Sequence, residues 1–154
     1  MHYIGLMIWM VVLQGVGFVL GIITRPEIST WYALLHKSSL NPPGVVFAIV
    51  WPILYVLIAI SGWLLWQQRD KGNVRLALWV YGTQLLMNWL WTPLFFHFHL
   101  IEVSFYWLVA LTLLTLVYIV MIKKMVPWSG YLQIPYFIWL VFASYLNAMI
   151  WILN

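Results

Sequence analysis

The chain has 154 residues, 66% of them hydrophobic and only 6% charged, with a net charge of +4. Soluble domains are roughly a quarter charged, so water cannot be the solvent on most faces of this protein. The absence of cysteine excludes disulfides, thiol catalysis and Cys metal sites.

Five apolar blocks, at about 3–24, 44–66, 76–98, 103–122 and 131–153, contain no Asp, Glu, Lys or Arg. At ~1.5 Å per residue, ~20 residues cover the ~30 Å hydrocarbon core. Every charge falls between blocks: Arg25, Glu27 and Lys37; Arg69, Asp70, Lys71 and Arg75; Glu102; Lys123 and Lys124. A charge at mid-membrane costs at least ~2.5 kcal/mol on insertion scales, so this segregation marks the blocks as spans. Spans of this length are helices, because open strands in lipid leave backbone groups unpaired and barrel strands are short and alternating. The expected fold is all-α: a polytopic membrane protein, one domain over 1–154, with five transmembrane helices. Lys and Arg gather in the second and fourth connections, which predicts a cytoplasmic N-terminus. The positive charge thus reads as topology and as attraction to anionic headgroups; no basic run suits nucleic acid.

In chain order, span one lacks the basic n-region and small-x-small cleavage site of a signal peptide and is read as retained. Its Gly17 and Gly21 form a small-xxx-small pattern, which serves either packing within the bundle or a homodimer seam. The connection from Arg25 to Pro43 is the one long loop, rich in aromatic and apolar residues, and is expected to fold over one end of the bundle as a lid. Asn41 is expected to cap the next helix, with Pro42 and Pro43 in its first turn. Pro52, Pro93 and Pro135 each remove a helical hydrogen bond and either kink the spans or shape their packing.

On span three, Gln84, Asn88, Trp91 and Phe95 recur at helical spacing and share one face. Phe47, Trp51 and Tyr55 repeat the pattern on span two, and Trp139, Ala143 and Asn147 on span five. Amides in hydrocarbon need partners, so these faces point inward, where they bond other helices or line a cavity. If the three faces converge, they enclose flat π surfaces and a few hydrogen-bonding groups suited to a large planar apolar ligand. Trp63, Trp66 and Trp128 lie near span ends and fit interfacial belts instead.

No span carries an ionisable Asp, Glu, Lys or Arg, which argues against ion-coupled pumping and against a Ser-His-Asp hydrolase. His97 and His99 diverge on a regular helix and read as solvated interfacial residues, with no metal site assigned. Leu116-x-Tyr118 with Lys123 matches a sterol pattern that chance also produces.

These residues carry a resemblance to the tryptophan-rich sensory protein/translocator protein family, also called the peripheral benzodiazepine receptor family. Its carriers are Trp31-Tyr32, Lys37, Pro42-Pro43, Trp51 and Leu54-Tyr55; Tyr81, Gln84, Asn88-Trp89, Trp91, Pro93 and Phe95-Phe96; then Pro135-Tyr136, Trp139, Phe142-Ala143 and Leu146-Asn147. The resemblance implies a homodimeric five-helix bundle that binds tetrapyrroles such as protoporphyrin IX and, in some members, cholesterol and isoquinolines. The implied ligand-binding residues are Trp31, Tyr32, Pro42, Trp51, Gln84, Asn88, Trp91, Phe95, Trp139, Ala143 and Leu146, to which the face analysis adds Phe47, Tyr55 and Asn147. Arg25, His36 and Lys37 are expected to pair with propionates at the rim, and no obligatory cofactor is implied. Two other activities follow from the resemblance: light- and oxygen-dependent porphyrin breakdown, with Trp51 and Trp139 nearest the macrocycle, and lipid or sterol carriage. It also implies a bacterial cytoplasmic membrane or a mitochondrial outer membrane. The chain departs from the family where Lys37-Ser38-Ser39-Leu40 replaces Lys-Pro-x-Trp, so one lid tryptophan is missing, and the C-terminal sterol motif lacks its basic residue.

Overall fold

A computed structural model describes residues 2–72 and 74–154. The described residues are helical, without strands: α1 His2–Ser29, α2 Trp31–Leu34, α3 Gly44–Trp66, α4 Val74–Thr92 continued by a π-helical turn Pro93–His97, α5 Ile101–Ile122, α6 Pro127–Tyr131 and α7 Ile134–Leu153. Four segments are long and apolar enough to cross a membrane: Tyr3–Ser29, Gly44–Trp66, Ile101–Ile122 and Pro127–Leu153. α4 is not among them; it carries Arg75 in its first turn and Thr83, Gln84 and Asn88 further along. With several apolar helices and large hydrophobic side chains exposed along them, the protein is a multi-pass membrane protein.

The helices run alternately, so the chain has two ends. The C-termini of α1, α4 and α7 meet the N-termini of α3 and α5 at one, and the turns α3–α4 and α5–α6 form the other. Between them Leu54, Ile58, Tyr81, Leu111, Tyr118 and Leu140 form a continuous buried core. Close approach depends on two glycines. A Cβ on Gly62 would sit 2.4 Å from the buried Tyr81 ring, and one on Gly17 would sit 2.5 Å from Tyr55. Gly17 therefore serves packing of α1 on α3, whereas Gly15 and Gly21 face open space. At the α5–α6 end, Ser61 and Ser129 each donate to the other's carbonyl, at 2.8 and 2.9 Å, joining α3 to α6.

Several boundaries differ from expectation for identifiable reasons. α1 runs past the expected end at 24, through Pro26, because the Ser29 and Thr30 hydroxyls bond the Pro26 carbonyl at 3.0 and 2.8 Å and hold its last turn. Asn41 does not cap α3. Pro43 occupies the capping position without a side-chain bond, and Asn41 Oδ1 instead accepts from the Tyr32 hydroxyl at 3.1 Å. Pro135 lies in the first turn of α7, where its missing N–H breaks nothing. Pro93 has a larger effect: it opens the π-helical turn, in which Phe98 N–H bonds the Pro93 carbonyl five residues back.

Candidate ligand-binding site

The three expected faces converge. On α3, Phe47 and Trp51 meet Trp139 of α7 edge to face, with ring centroids 5.6 and 6.5 Å apart, and Trp51 lies 5.5 Å from Tyr55. Asn88 on α4 links all three helices, because its Oδ1 accepts from the Tyr55 hydroxyl and its Nδ2 donates to the Tyr136 hydroxyl, both at 2.9 Å. Asn147 ties α7 to its neighbours by donating to the Ile101 carbonyl at 2.9 Å and accepting from Trp91 Nε1 at 3.4 Å. Ala143 packs against the same core and Leu146 is buried.

Gln84 differs from the other two amides. It is fully buried, and neither its Oε1 nor its Nε2 has a hydrogen-bond partner; the Trp139 Nε1–H is likewise buried without one. A buried amide without partners costs on the order of 1–3 kcal/mol per group, so the layer keeps polar valence that packing alone does not use.

Above this layer lies a second aromatic group, assembled by the π-helical turn. Phe95, 2% exposed, stacks on Trp91 at 5.1 Å and receives the edges of Trp31 at 5.4 Å and Tyr32 at 6.1 Å from α2. The connection 30–43 is thereby seated on α4, and three hydrogen bonds fasten it to α7 and its C-terminal Asn154: Ser38 Oγ with the Tyr145 hydroxyl at 2.9 Å, His36 N–H to Asn154 Oδ1 at 2.9 Å, and Asn154 Nδ2 to the His36 carbonyl at 3.0 Å. Pro42 is half-buried beside Asn41, whose Nδ2 bonds its carbonyl.

The three rim cations are placed differently. Arg25 is exposed near the end of α1, and the His36 side chain is exposed above α7. Lys37 turns inward: its Nζ donates to the Leu35 carbonyl at 2.8 Å and lies 4.6 Å from the Tyr32 ring centroid. Burial lowers the Lys37 pKa and raises that of Tyr32, the latter partly offset by the bond to Asn41.

Two features escaped the sequence. His99, with φ of 55°, is exposed as expected but is also engaged: its ring stacks on Trp31 at 4.0 Å and its Nε2 lies 3.1 Å from Glu27 Oε2. Nothing in a 72-residue separation signals that pair. Phe96 also touches Tyr32, at 5.6 Å. Tyr136, by contrast, was accessible, since it shares the helical stripe of Trp139, Ala143 and Asn147. No group of three His, Cys, Asp or Glu suited to a metal occurs among the described residues.

Helix arrangement and site together define a class: a multi-pass helical membrane protein whose interior holds an uncharged layer of aromatic rings and amides under an aromatic connection. The chain belongs to the TspO/MBR family, which it matches over residues 9–152. It is 34% identical to the tryptophan-rich protein TspO of Archaeoglobus fulgidus, over 91% of this chain and 90% of that one. It is 35% identical to protein CrtK of Rhodobacter capsulatus, over 80% and 78% of the two chains. The human translocator protein is 32% identical over 79% of this chain and 73% of its own.

Proposed function

We propose that the protein is a membrane receptor for tetrapyrroles, such as protoporphyrin IX, and related planar hydrophobic ligands, held between α3, α4 and α7. The observation that carries this reading is the unpartnered Gln84 amide and Trp139 indole N–H in a layer otherwise built of ring faces. A macrocycle offers both missing complements, π surface and polar ring atoms, and an aliphatic ligand offers neither. In this reading α4 is a fifth span, the N-terminus is cytoplasmic, and the connection 30–43 is a lid. Two copies pair as a homodimer, in line with the family.

The Trp51 and Trp139 rings occupy the layer edge to face, so a ligand enters by turning them and lifting the lid. The lid is well suited to lifting. Its polar attachments to α7 are three hydrogen bonds, one between Ser38 and Tyr145 and two between His36 and Asn154, each worth about 0.5–1.5 kcal/mol. Arg25 and His36, exposed at the rim, then meet the propionates, joined by Lys37 once it leaves Tyr32. The names of the relatives, sensory protein and translocator protein, are consistent with a role in sensing or moving such a ligand. Titration of protoporphyrin IX into purified protein tests the reading. Tryptophan quenching saturating at about one porphyrin per chain is expected, and quenching that rises without saturation would refute it.

A further inference from the structure

The net charge sits at one end of the molecule. Arg69, Lys71, Arg75, Lys123 and Lys124 stand at the end where α3 turns into α4 and α5 into α6, with Asp70 as the sole carboxylate. At the lid end Arg25 and Lys37 are matched in number by Glu27 and Glu102. Among the described residues the one carboxylate ion pair is His99 with Glu27, so none of the five cations is neutralised by a carboxylate. Arg69 is engaged, donating to the Trp66 carbonyl at 3.2 Å and lying 5.3 Å over the Trp66 ring.

Two of the remaining lysines, Lys71 and Lys124, line one groove of about 400 Å³ between the two turns. Beside the two lysines its lining is Gly72, Met125 and the buried Val74. Trp66 and Trp128 are exposed at the same end, at 48% and 71%, and exposed tryptophans at span ends sit at headgroup depth. Below the turn that carries Lys124, Val120 and Val117 on α5 are exposed apolar surface leading into the hydrocarbon.

We infer that this groove is a binding site for the phosphate of an anionic phospholipid in the leaflet at that end. Lys71 and Lys124 contact the phosphate, and the acyl chains lie along the Val117–Val120 stripe. A free phosphate would use the two ammonium groups but not the exposed valines of α5, so the lipid is the better complement. Basic recesses between membrane helices on the positively charged side are suited to such headgroups.

The test uses the full chain, delipidated in neutral detergent, with bound lipid counted by native mass spectrometry. Dioleoylphosphatidylglycerol is expected to saturate one site per chain, and dioleoylphosphatidylcholine to bind without saturation. Lys71→Gln/Lys124→Gln should weaken phosphatidylglycerol about 25-fold, the product of roughly fivefold for each Lys. The charge-matched Arg75→Gln/Lys123→Gln, outside the groove, should weaken it no more than about threefold, as expected of screened surface charges. Lys71→Arg/Lys124→Arg should retain binding, which separates loss of charge from loss of folding. Equal losses in the two Gln pairs would overturn the site in favour of diffuse attraction. Displacement of the lipid by equimolar inorganic phosphate would overturn the lipid assignment in favour of a soluble phosphate.

Discussion

Replacing Gln84 with Leu should stabilise the ligand-free protein while weakening its ligand binding. Gln84 is 0% exposed and both its amide atoms lack partners. Each buried unsatisfied group costs on the order of 1–3 kcal/mol, but the membrane-embedded unfolded state also finds partners, which trims the gain. Leu is close in volume and adds no polar group, so the expected gain is about 1–3 kcal/mol overall. Reversible unfolding in mixed micelles with increasing SDS, followed by far-UV circular dichroism, measures it. In the same variant protoporphyrin should bind severalfold more weakly, because the proposed ligand is the amide's partner. A Leu variant that is less stable and binds porphyrin unchanged would refute the reasoning, since the amide would then be serving the fold.

One turn away the sign reverses. Asn88→Leu removes two buried hydrogen bonds, to Tyr55 and Tyr136, and should cost about 1–3 kcal/mol by the same unfolding measurement. Combined with Tyr55→Phe, the losses should be less than additive, because the second change removes a hydroxyl already stranded. Gly17→Ala drives a methyl into the Tyr55 ring and should destabilise by about 1–3 kcal/mol. Gly21→Ala meets open space and should stabilise α1 by roughly 0.5–1 kcal/mol, as seen in thermal melts. Lid docking should depend on alkaline pH. The Lys37 pKa is lowered on docking, so the undocked state binds more protons below its ordinary value, and docking tightens as pH rises through that window. The Tyr32 pKa is raised, so above the ordinary tyrosine value docking weakens again. Since the chain has no native cysteine, a spin label on Leu40→Cys reports this as immobilisation that peaks near pH 10 and declines above it.

The helices were legible because charge exclusion is nearly absolute: α3 begins and ends at the residues expected from composition, Gly44 and Trp66. α4 departs from a simple hydropathy reading because its inward face is built from Gln84, Asn88 and tryptophans. The polarity that marks the candidate site is the same polarity that lowers its apolar score. Helical periodicity put on inward faces the residues that meet in the structure, Phe47 and Trp51 with Trp139, Tyr55 with Asn88, and Trp91 with Asn147, since a 3.6-residue repeat fixes which side chains share a face. It could not show which amides would be satisfied. Asn88 finds two phenols and Gln84 finds nothing, a difference that depends on the depth of Tyr136 across the bundle. Local capping rules misplaced Asn41 because Tyr32, nine residues earlier, offers its side chain a better-placed donor than the α3 backbone. His99 was hidden for a related reason: Pro93 replaces an α-helical turn with a π-helical one, and a periodicity argument ends where the period changes.

The most direct test of the account compares tryptophans at the two ends of α3 and its partners. Protoporphyrin IX is titrated into Trp51→Phe/Trp139→Phe and into Trp66→Phe/Trp128→Phe, following the Soret band so that the lost indoles do not distort the signal. The account predicts that the first pair weakens binding about tenfold, each ring contributing roughly 0.5–1.5 kcal/mol of stacking. It predicts wild-type affinity for the second pair, whose rings are exposed at the basic end. Equal affinity in both variants would contradict the claim that the layer between α3, α4 and α7 is where the ligand binds.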